Sequence, residues 1–206
     1  MSPAASAPSC ASSTTKRSEH TYPSTTRLSW RPSPWSTASR AYPRKIAGVH
    51  RPDPAGRRRI VLITGPDDTA VGRERRRGYT EALTLAGLRP YASEPGDFME
   101  TGGAAAMRTL LRTHPDLDAV LAANDNMAAG AVRVLRDAGR TVPGDVAVVG
   151  FDDLPIALHT DPKLTTIHQP VQALGREAAR MLVEVLEGEQ PQPFLLPTKV
   201  VVRESA

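Results

Sequence analysis

The 206 residues suffice for one ordinary domain or two small ones, and with 40% hydrophobic but 4% aromatic residues a core would rest on aliphatic side chains. Cys10 is the single cysteine, which excludes an intramolecular disulfide and agrees with a reducing cytoplasm. No apolar run approaches the roughly 18 residues that span a bilayer, and the N-terminus lacks the apolar region of a signal peptide. We therefore expect a cytoplasmic protein with no membrane partner.

The positive charge of the chain is concentrated at one end. Eleven lysines and arginines but two acidic residues lie between Met1 and Arg59, whereas fifteen basic and twenty acidic residues follow. The later part is mildly acidic although the whole chain has a formal net charge of +4. This distribution argues against a DNA-binding surface in the later part.

Residues 1–56 are rich in Ser, Thr, Pro, Ala and Arg, and eight prolines interrupt every stretch that could become a helix. Neither a strand period nor a helix period is present. We predict a disordered basic tail. A short interaction motif, or weak binding of nucleic-acid phosphates, is the alternative.

From about Arg57 onward, predicted strands alternate with predicted helices. The strands are short β-branched or apolar runs, at 60–64, 89–93, 118–123, 145–150, 163–168 and 199–203. The helices carry apolar residues at helical spacing, at 73–86, 102–113, 124–138 and 171–187. This alternation predicts an α/β fold with a mostly parallel sheet and helices on both faces.

Polar residues follow four of the predicted strands at the point where each strand ends. They are Asp67, Asn124, Asp125, Asp152, Asp153, His168 and Gln169. Ligands of open parallel sheets bind at the carboxyl ends of strands, so this edge is the predicted site. A helix N-cap for Asn124, and a solvated loop for the aspartate pair, are the alternatives.

No motif for catalysis is recognisable in the sequence. It has no Gly-x-Ser-x-Gly elbow, no Walker loop and no dinucleotide-binding glycine motif, and its five histidines lack metal-ligand spacing. We therefore expect no catalytic residue, no metal and no cofactor. A metal or acid–base site at Asp152, Asp153 and His159 is the weaker alternative, because adjacent carboxylates point in different directions.

Several motifs follow one another in a characteristic order from Arg59 to Ser205. They are RIVLITGP, ANDNMAAGA, VPGDVAVVGFDD, LTTIHQP, LGREAA and VVRES. Over residues 57–206 this order resembles the C-terminal half of LacI/GalR-type bacterial transcriptional regulators. The resemblance implies a periplasmic-binding-protein-like fold. It also implies a small-molecule effector, with a sugar as the first expectation, bound in a cleft between two subdomains.

The resemblance also implies which residues contact the effector. Arg75 matches the family's effector-contacting arginine, and Asn124 and Asp152 match polar ligands on the same subdomain. Phe98 matches an aromatic residue that often stacks on the ligand, and Gln169 lies at the crossover between subdomains. Arginine and carboxylate groups suit sugar hydroxyls, and an aromatic face suits apolar C–H surface. A solvated arginine-rich helix face for Arg75, and plain packing for Phe98, are the alternatives.

The first 56 residues depart from the family pattern. They show no helix-turn-helix, no hinge and none of the βαβ units of the first subdomain. We expect one subdomain to be largely missing, and we expect that this chain alone does not bind operator DNA specifically. Our hypothesis is a truncated or frameshifted regulator whose family sequence begins near Arg57. The crossover helix from Val171 should then leave apolar side chains uncovered, namely Leu174, Met181, Leu182 and Val185.

The resemblance further implies a homodimer that uses the helix 124–138 and the loop 154–159, because one apolar face of that helix should remain spare after the sheet is covered. The favoured function is the effector-sensing part of a LacI/GalR-type regulator. A solute-binding protein of periplasmic type shares the fold and is the first alternative. An enzyme of doubly wound type is the second.

Overall fold

The computed structural model describes residues 56–206, and the predicted disordered tail lies outside them except for Gly56. The strands are β1 (Ile60–Thr64), β2 (Ala92–Pro95), β3 (Ala119–Ala122), β4 (Ala147–Asp152), β5 (Thr165–His168) and β6 (Lys199–Val201). The α-helices are α1 (Ala70–Leu85), α2 (Glu100–Thr113), α3 (Asp125–Asp137) and α4 (Val171–Leu186), and a 3₁₀ turn covers Pro155–Leu158.

The strands form one sheet in the order β2-β1-β3-β4-β5-β6. Neighbouring strands are parallel from β2 to β5, and β6 runs antiparallel to β5. Strands β1 and β3 are buried along their whole length, because each has a strand on either side and helices above and below. The predicted mostly parallel α/β fold is confirmed.

Helices cover both faces of the sheet. On one face α1 packs through Leu83 against Leu62. On the opposite face α2 and α3 pack through Met107 and Leu135 against Ile63. Leu62 and Ile63 are consecutive residues of β1, and their side chains enter different cores because strand residues alternate between the two faces.

The apolar residues of α3 are all used inside the protomer. The residues that suggested a second, spare face are buried against α2 and the sheet, namely Met127, Ala128, Ala131, Val132 and Leu135. The exposed positions of this helix are polar and include Arg133, Arg136 and Asp137. The predicted spare apolar face is therefore wrong. A homodimer at α3 would have to use this polar edge and the neighbouring loop.

Two element boundaries differ from the prediction for identifiable reasons. Helix α1 begins at Ala70 instead of Arg73, because the Thr69 hydroxyl accepts a hydrogen bond from the Gly72 N–H at 3.0 Å and caps the helix. Strand β2 lies at Ala92–Pro95 instead of 89–93. The strand tolerates its terminal proline because β2 is an edge strand of the sheet.

Strand β4 begins two residues later than predicted and extends to Asp152. Both the backbone N–H and the hydroxyl of Thr141 donate to the Asp145 carboxylate at 2.7 Å. These bonds hold Asp145 in the preceding turn and delay the strand. At its other end the strand stays paired with β5 as far as Asp152, which is therefore the last residue of a strand instead of the second residue of a loop.

Helix α4 buries none of its residues. Leu174, Leu182 and Val185 are exposed to 36%, 60% and 55%, and Met181 is partly exposed. The prediction that the crossover helix leaves an uncovered apolar stripe is confirmed. The two buried cores draw no residue from α4.

Glycine substitutions should separate the tight α2–α3 contact from the open environment of α4. A Cβ on Gly103 would lie 2.3 Å from the Met127 carbonyl oxygen, whereas a Cβ on Gly175 would meet nothing within 4 Å. We expect Gly103→Ala to lower the free energy of unfolding by about 1–3 kcal/mol through overpacking. Gly175→Ala should raise it by about 0.5–1 kcal/mol through helix propensity. Urea unfolding measures both, and equal effects would contradict the packing argument.

Candidate functional site

Three predicted site residues meet directly at the carboxyl edge of the sheet. Arg75 projects from α1, Asp152 ends β4, and Gln169 follows β5. The Arg75 Nη2 donates to Asp152 Oδ1 at 2.9 Å, and the Gln169 Nε2 donates to the same oxygen at 2.6 Å. The side chains of Arg75 and Asp152 remain 13% and 21% exposed, so the ion pair is largely shielded yet reachable from solvent.

Two further contacts fix the guanidinium of Arg75. Its Nη1 donates to the carbonyl oxygen of Ala123, the residue that follows β3. Its plane lies over the Phe151 ring, with 4.0 Å between the guanidinium carbon and the ring centroid. A cation held over an aromatic face in this way gains on the order of 0.5–2 kcal/mol. Arg75 is therefore a fixed component of the edge, and the solvated-face alternative does not apply.

Asn124 and Phe98 form a second pair of predicted residues. The Asn124 Oδ1 accepts from the Met127 N–H at 2.9 Å and caps α3, while its Nδ2 donates to the Phe98 carbonyl oxygen at 2.8 Å. The Phe98 backbone has a positive φ of 67°, and its half-buried ring lies against Gly65 at the end of β1. Both the N-cap interpretation of Asn124 and the packing interpretation of Phe98 thus describe real contacts.

The two adjacent aspartates have separate partners. Asp152 contacts Arg75 and Gln169, whereas Asp153 Oδ1 accepts from Arg203 Nη2 at 2.6 Å and Asp153 Oδ2 lies 3.0 Å from His168 Nδ1. The divergence expected of adjacent carboxylates is confirmed. The carboxylates of Asp152 and Asp153 therefore do not converge on one point, as the metal or acid–base alternative would require.

Electrostatics distinguish the two carboxyl groups. Burial raises the pKa of Asp152 above its usual range, and the Arg75 charge and the Gln169 hydrogen bond only partly offset this. Burial also raises the pKa of Asp153, but hydrogen bonds from Arg203 and His168 outweigh it and lower the pKa on balance. Asp153 is therefore a firmly ionised structural group beside the more responsive Asp152.

Asp125, one of the polar residues predicted at this edge, is a fully buried carboxyl group beneath it. Its carboxylate accepts hydrogen bonds from the Thr166 hydroxyl and, at 2.7 Å, from the Leu154 N–H. Burial raises its pKa to about 6, the two hydrogen bonds lower it less, and the charges of Asp152 and Asp153 raise it further. Asp125 thereby joins α3, β5 and the segment after β4.

The structure brings together all five predicted residues in two linked groups. Arg75, Asp152 and Gln169 share hydrogen bonds, Phe98 and Asn124 share another, and the Arg75 bond to the Ala123 carbonyl lies directly beside Asn124. Sequence reasoning placed Asp125 and Asp153 at this edge without predicting their supporting contacts, and it assigned no role to Arg203. All three lie inside quoted motifs, but nothing in the sequence marks Arg203 as the partner of Asp153.

Within residues 56–206, no helix is long and apolar enough to cross a membrane. In the same range, no three His, Cys, Asp or Glu side chains gather in a group that could hold a metal ion.

Residues 54–206 match the family described as the periplasmic binding protein-like domain. The chain is 49% identical over 154 residues to the HTH-type transcriptional regulator CelR of Thermobifida fusca, a match that covers 73% of this chain and 45% of CelR. It is 46% identical over 131 residues to the ribose operon repressor of Escherichia coli K12, a match that covers 62% of this chain and 39% of the repressor. It is 37% identical over 165 residues to the ribose import binding protein RbsB of Salmonella typhimurium, covering 78% and 55%.

Solved structures give the same result. The transcriptional regulator CelR–cellobiose complex superimposes with a TM-score of 0.75 at 44% identity, over 84% of this chain and 52% of that one. A dimeric Lac repressor with an 11-residue C-terminal deletion superimposes with a TM-score of 0.73 at 30% identity, over 84% and 61%.

The chain belongs to the periplasmic binding protein-like family. The predicted resemblance to the effector-binding region of LacI/GalR-type regulators is confirmed. The chain spans about half the length of the curated relatives it matches.

The buried carboxyl group of Asp125 should make stability depend on pH. Because its folded-state pKa is raised from 3.8 to about 6, its stabilising contribution is complete below about pH 4 and is lost as the pH rises through about 6. In Asp125→Asn the neutral amide can accept from Leu154 and donate to Thr166. We expect the variant to gain on the order of 2–3 kcal/mol relative to the parent between pH 4 and pH 7.

Urea unfolding of the parent and of Asp125→Asn at several pH values measures this difference. Subtracting the two free energies of unfolding cancels the contributions of the other titrating groups, since both proteins share them. A difference that stays constant from pH 4 to pH 7 would show that Asp125 titrates normally.

Proposed function

We propose that this region is the effector-sensing part of a LacI/GalR-type transcriptional regulator, and that it binds a small sugar at the carboxyl edge of the sheet. The observation that carries the proposal is the cluster of Arg75, Asp152 and Gln169, which is shielded, fixed over Phe151 and still open to solvent. A few convergent polar groups beside aromatic surface are typical of a small-molecule site.

The chemistry of the cluster suits a polyhydroxylated ligand. Asp152 can accept hydrogen bonds from sugar hydroxyls, while Arg75 and Gln169 can donate to hydroxyl or ring oxygens. The half-buried Phe98 ring offers apolar surface to sugar C–H groups. Because existing bonds already orient these side chains, a ligand would lose little affinity in ordering them. The cellobiose in the CelR structure supports the sugar class.

A regulator is favoured over the solute-binding alternative. Identity to CelR is 49% over 154 residues, against 37% over 165 residues for RbsB. The proposal implies binding without catalysis, a cytoplasmic location, and operator DNA as a partner of the full-length regulators. For the chain of 206 residues alone we propose no specific DNA binding, since the later part is acidic and the first part carries no recognisable recognition helix.

Two site variants and one control test the proposal. We expect Asp152→Asn and Arg75→Met to weaken sugar binding by about 10–100-fold, because each removes a charged hydrogen-bonding partner worth about 1.5–3 kcal/mol. Arg180→Met removes an exposed arginine paired with Glu177 and Glu184 on α4 and should bind like the parent.

Calorimetric titration with cellobiose and with ribose, at matched protein stability, measures these affinities. Nucleobases serve as a second ligand class. A parent chain that binds neither sugar, or site variants that bind as well as Arg180→Met, would falsify the proposed site.

We also propose a homodimer that uses the polar edge of α3 and the loop 154–159. The dimeric Lac repressor among the similar structures supports this. So does Leu158, a large apolar side chain of that loop that is 52% exposed. Leu158→Asp should shift the chain to monomers, because a charge would be buried in the interface.

Analytical ultracentrifugation at tens of micromolar protein reports the association state. Leu186→Asp, at an exposed position of α4, is the matched control and should leave the dimer intact. A purely monomeric parent, or equal dissociation of both variants, would count against this interface.

A further inference from the structure

Two consecutive residues at the end of β4 hold an uncommon backbone conformation. Asp152 has a φ of 107° and Asp153 a φ of 59°. Residues with a side chain rarely adopt positive φ, and such strain persists when the surroundings over-determine it. Asp152 is also the carboxylate of the proposed effector site. The contacts that hold this turn therefore decide where that carboxylate points.

One set of contacts holds the turn through Asp153. The Arg203 guanidinium donates to Asp153 Oδ1 at 2.6 Å, and His168 flanks the other oxygen. Both side chains of the Arg203–Asp153 pair are shielded, with 15% and 18% of their surfaces exposed. Water therefore screens this pair less than a surface ion pair.

Arg203 is itself fixed to β5. Its Nη1 donates to the Leu164 carbonyl oxygen at 2.8 Å, and its backbone N–H donates to the Thr165 hydroxyl at 2.9 Å. Because one bond anchors its guanidinium and the other its backbone, Arg203 cannot follow Asp153 if the turn relaxes. The ion pair thus fixes the turn relative to β5.

A second anchor lies on the other side of the turn. The Leu154 N–H donates to the Asp125 carboxylate at 2.7 Å, and Asp125 is fully buried. The turn is consequently held at Asp153 and at Leu154, directly beside Asp152.

We propose that Arg203 is a positioning residue of the effector site. Its ion pair with Asp153 maintains the left-handed turn and so directs the Asp152 carboxylate to Arg75 and Gln169. This inference deepens the proposed function and rests on it for its consequence in ligand binding. The geometric part, that Arg203 fixes the turn, concerns the protein without ligand.

Arginine variants of the full chain test the proposal. Arg203→Met removes the ion pair, and Arg203→Lys keeps the charge. Arg180→Met, which breaks an exposed ion-pair cluster with Glu177 and Glu184 on α4, is the control. The first readout is hydrogen exchange of the backbone amides of Asp152, Asp153 and Leu154 in the free protein. The second is the calorimetric affinity for cellobiose.

We expect Arg203→Met to speed exchange at these amides by about tenfold or more, without a comparable change in β1, because the turn opens locally. Cellobiose affinity should fall by about tenfold or more as Asp152 is displaced. Arg203→Lys should recover most of both losses, and Arg180→Met should show neither. Asp153→Gly added to Arg203→Met should recover affinity, because glycine adopts positive φ without strain.

Other outcomes overturn the proposal. Unchanged exchange at residues 152–154 in Arg203→Met would show that the ion pair does not hold the turn. Uniformly faster exchange throughout the sheet, with no recovery of affinity in the glycine double variant, would show that Arg203 stabilises the fold alone. If the parent binds neither cellobiose nor ribose, the proposed sugar site fails, whereas exchange at these amides still decides whether Arg203 fixes the turn.

Discussion

Five neighbouring strands that run in one direction bring their carboxyl ends to a single edge of the sheet. The fully buried β1 and β3 fix the positions of those ends, because each is paired in register with a strand on either side. Side chains far apart in the chain meet there as a consequence. Arg75 and Asp152 are 77 residues apart, and their charged atoms lie at 2.9 Å.

The charge balance of this edge follows from its shielding. A carboxylate withdrawn from water is costly unless it is paired and hydrogen-bonded. Asp152 has both kinds of partner, yet burial still raises its pKa. Asp125, without a cationic partner among its hydrogen bonds, shows the same effect more strongly, with a pKa of about 6. A ligand that brings hydroxyl donors to Asp152 would therefore satisfy a carboxylate that the protein stabilises incompletely.

Sequence reasoning predicted the fold and named the five residues of the proposed site, but not the contacts among them. The fold follows from alternating apolar runs such as β1 and α3, which local periodicity reveals. Boundaries depended on single side chains: Thr69 caps α1 early, and Asp145 delays β4. The bond from Arg203 to Asp153 spans 50 residues, and neither composition nor spacing identifies such a pair. The prediction of a spare apolar face on α3 was wrong because periodicity identifies apolar positions but does not show that α2 already covers them.

Gln169 connects the site to the part of the chain that the two cores leave out. It donates to Asp152 at 2.6 Å, and it stands between the end of β5 at His168 and the start of α4 at Val171. Since α4 contributes to neither core, its position relative to the sheet depends strongly on this short connection. A ligand that contacts Asp152 and Gln169 at the proposed site would therefore also contact this connection. A ligand shifts a conformational equilibrium by interacting differently with its states, and contacts at the proposed effector site lie where a ligand can bias the orientation of α4 in this way.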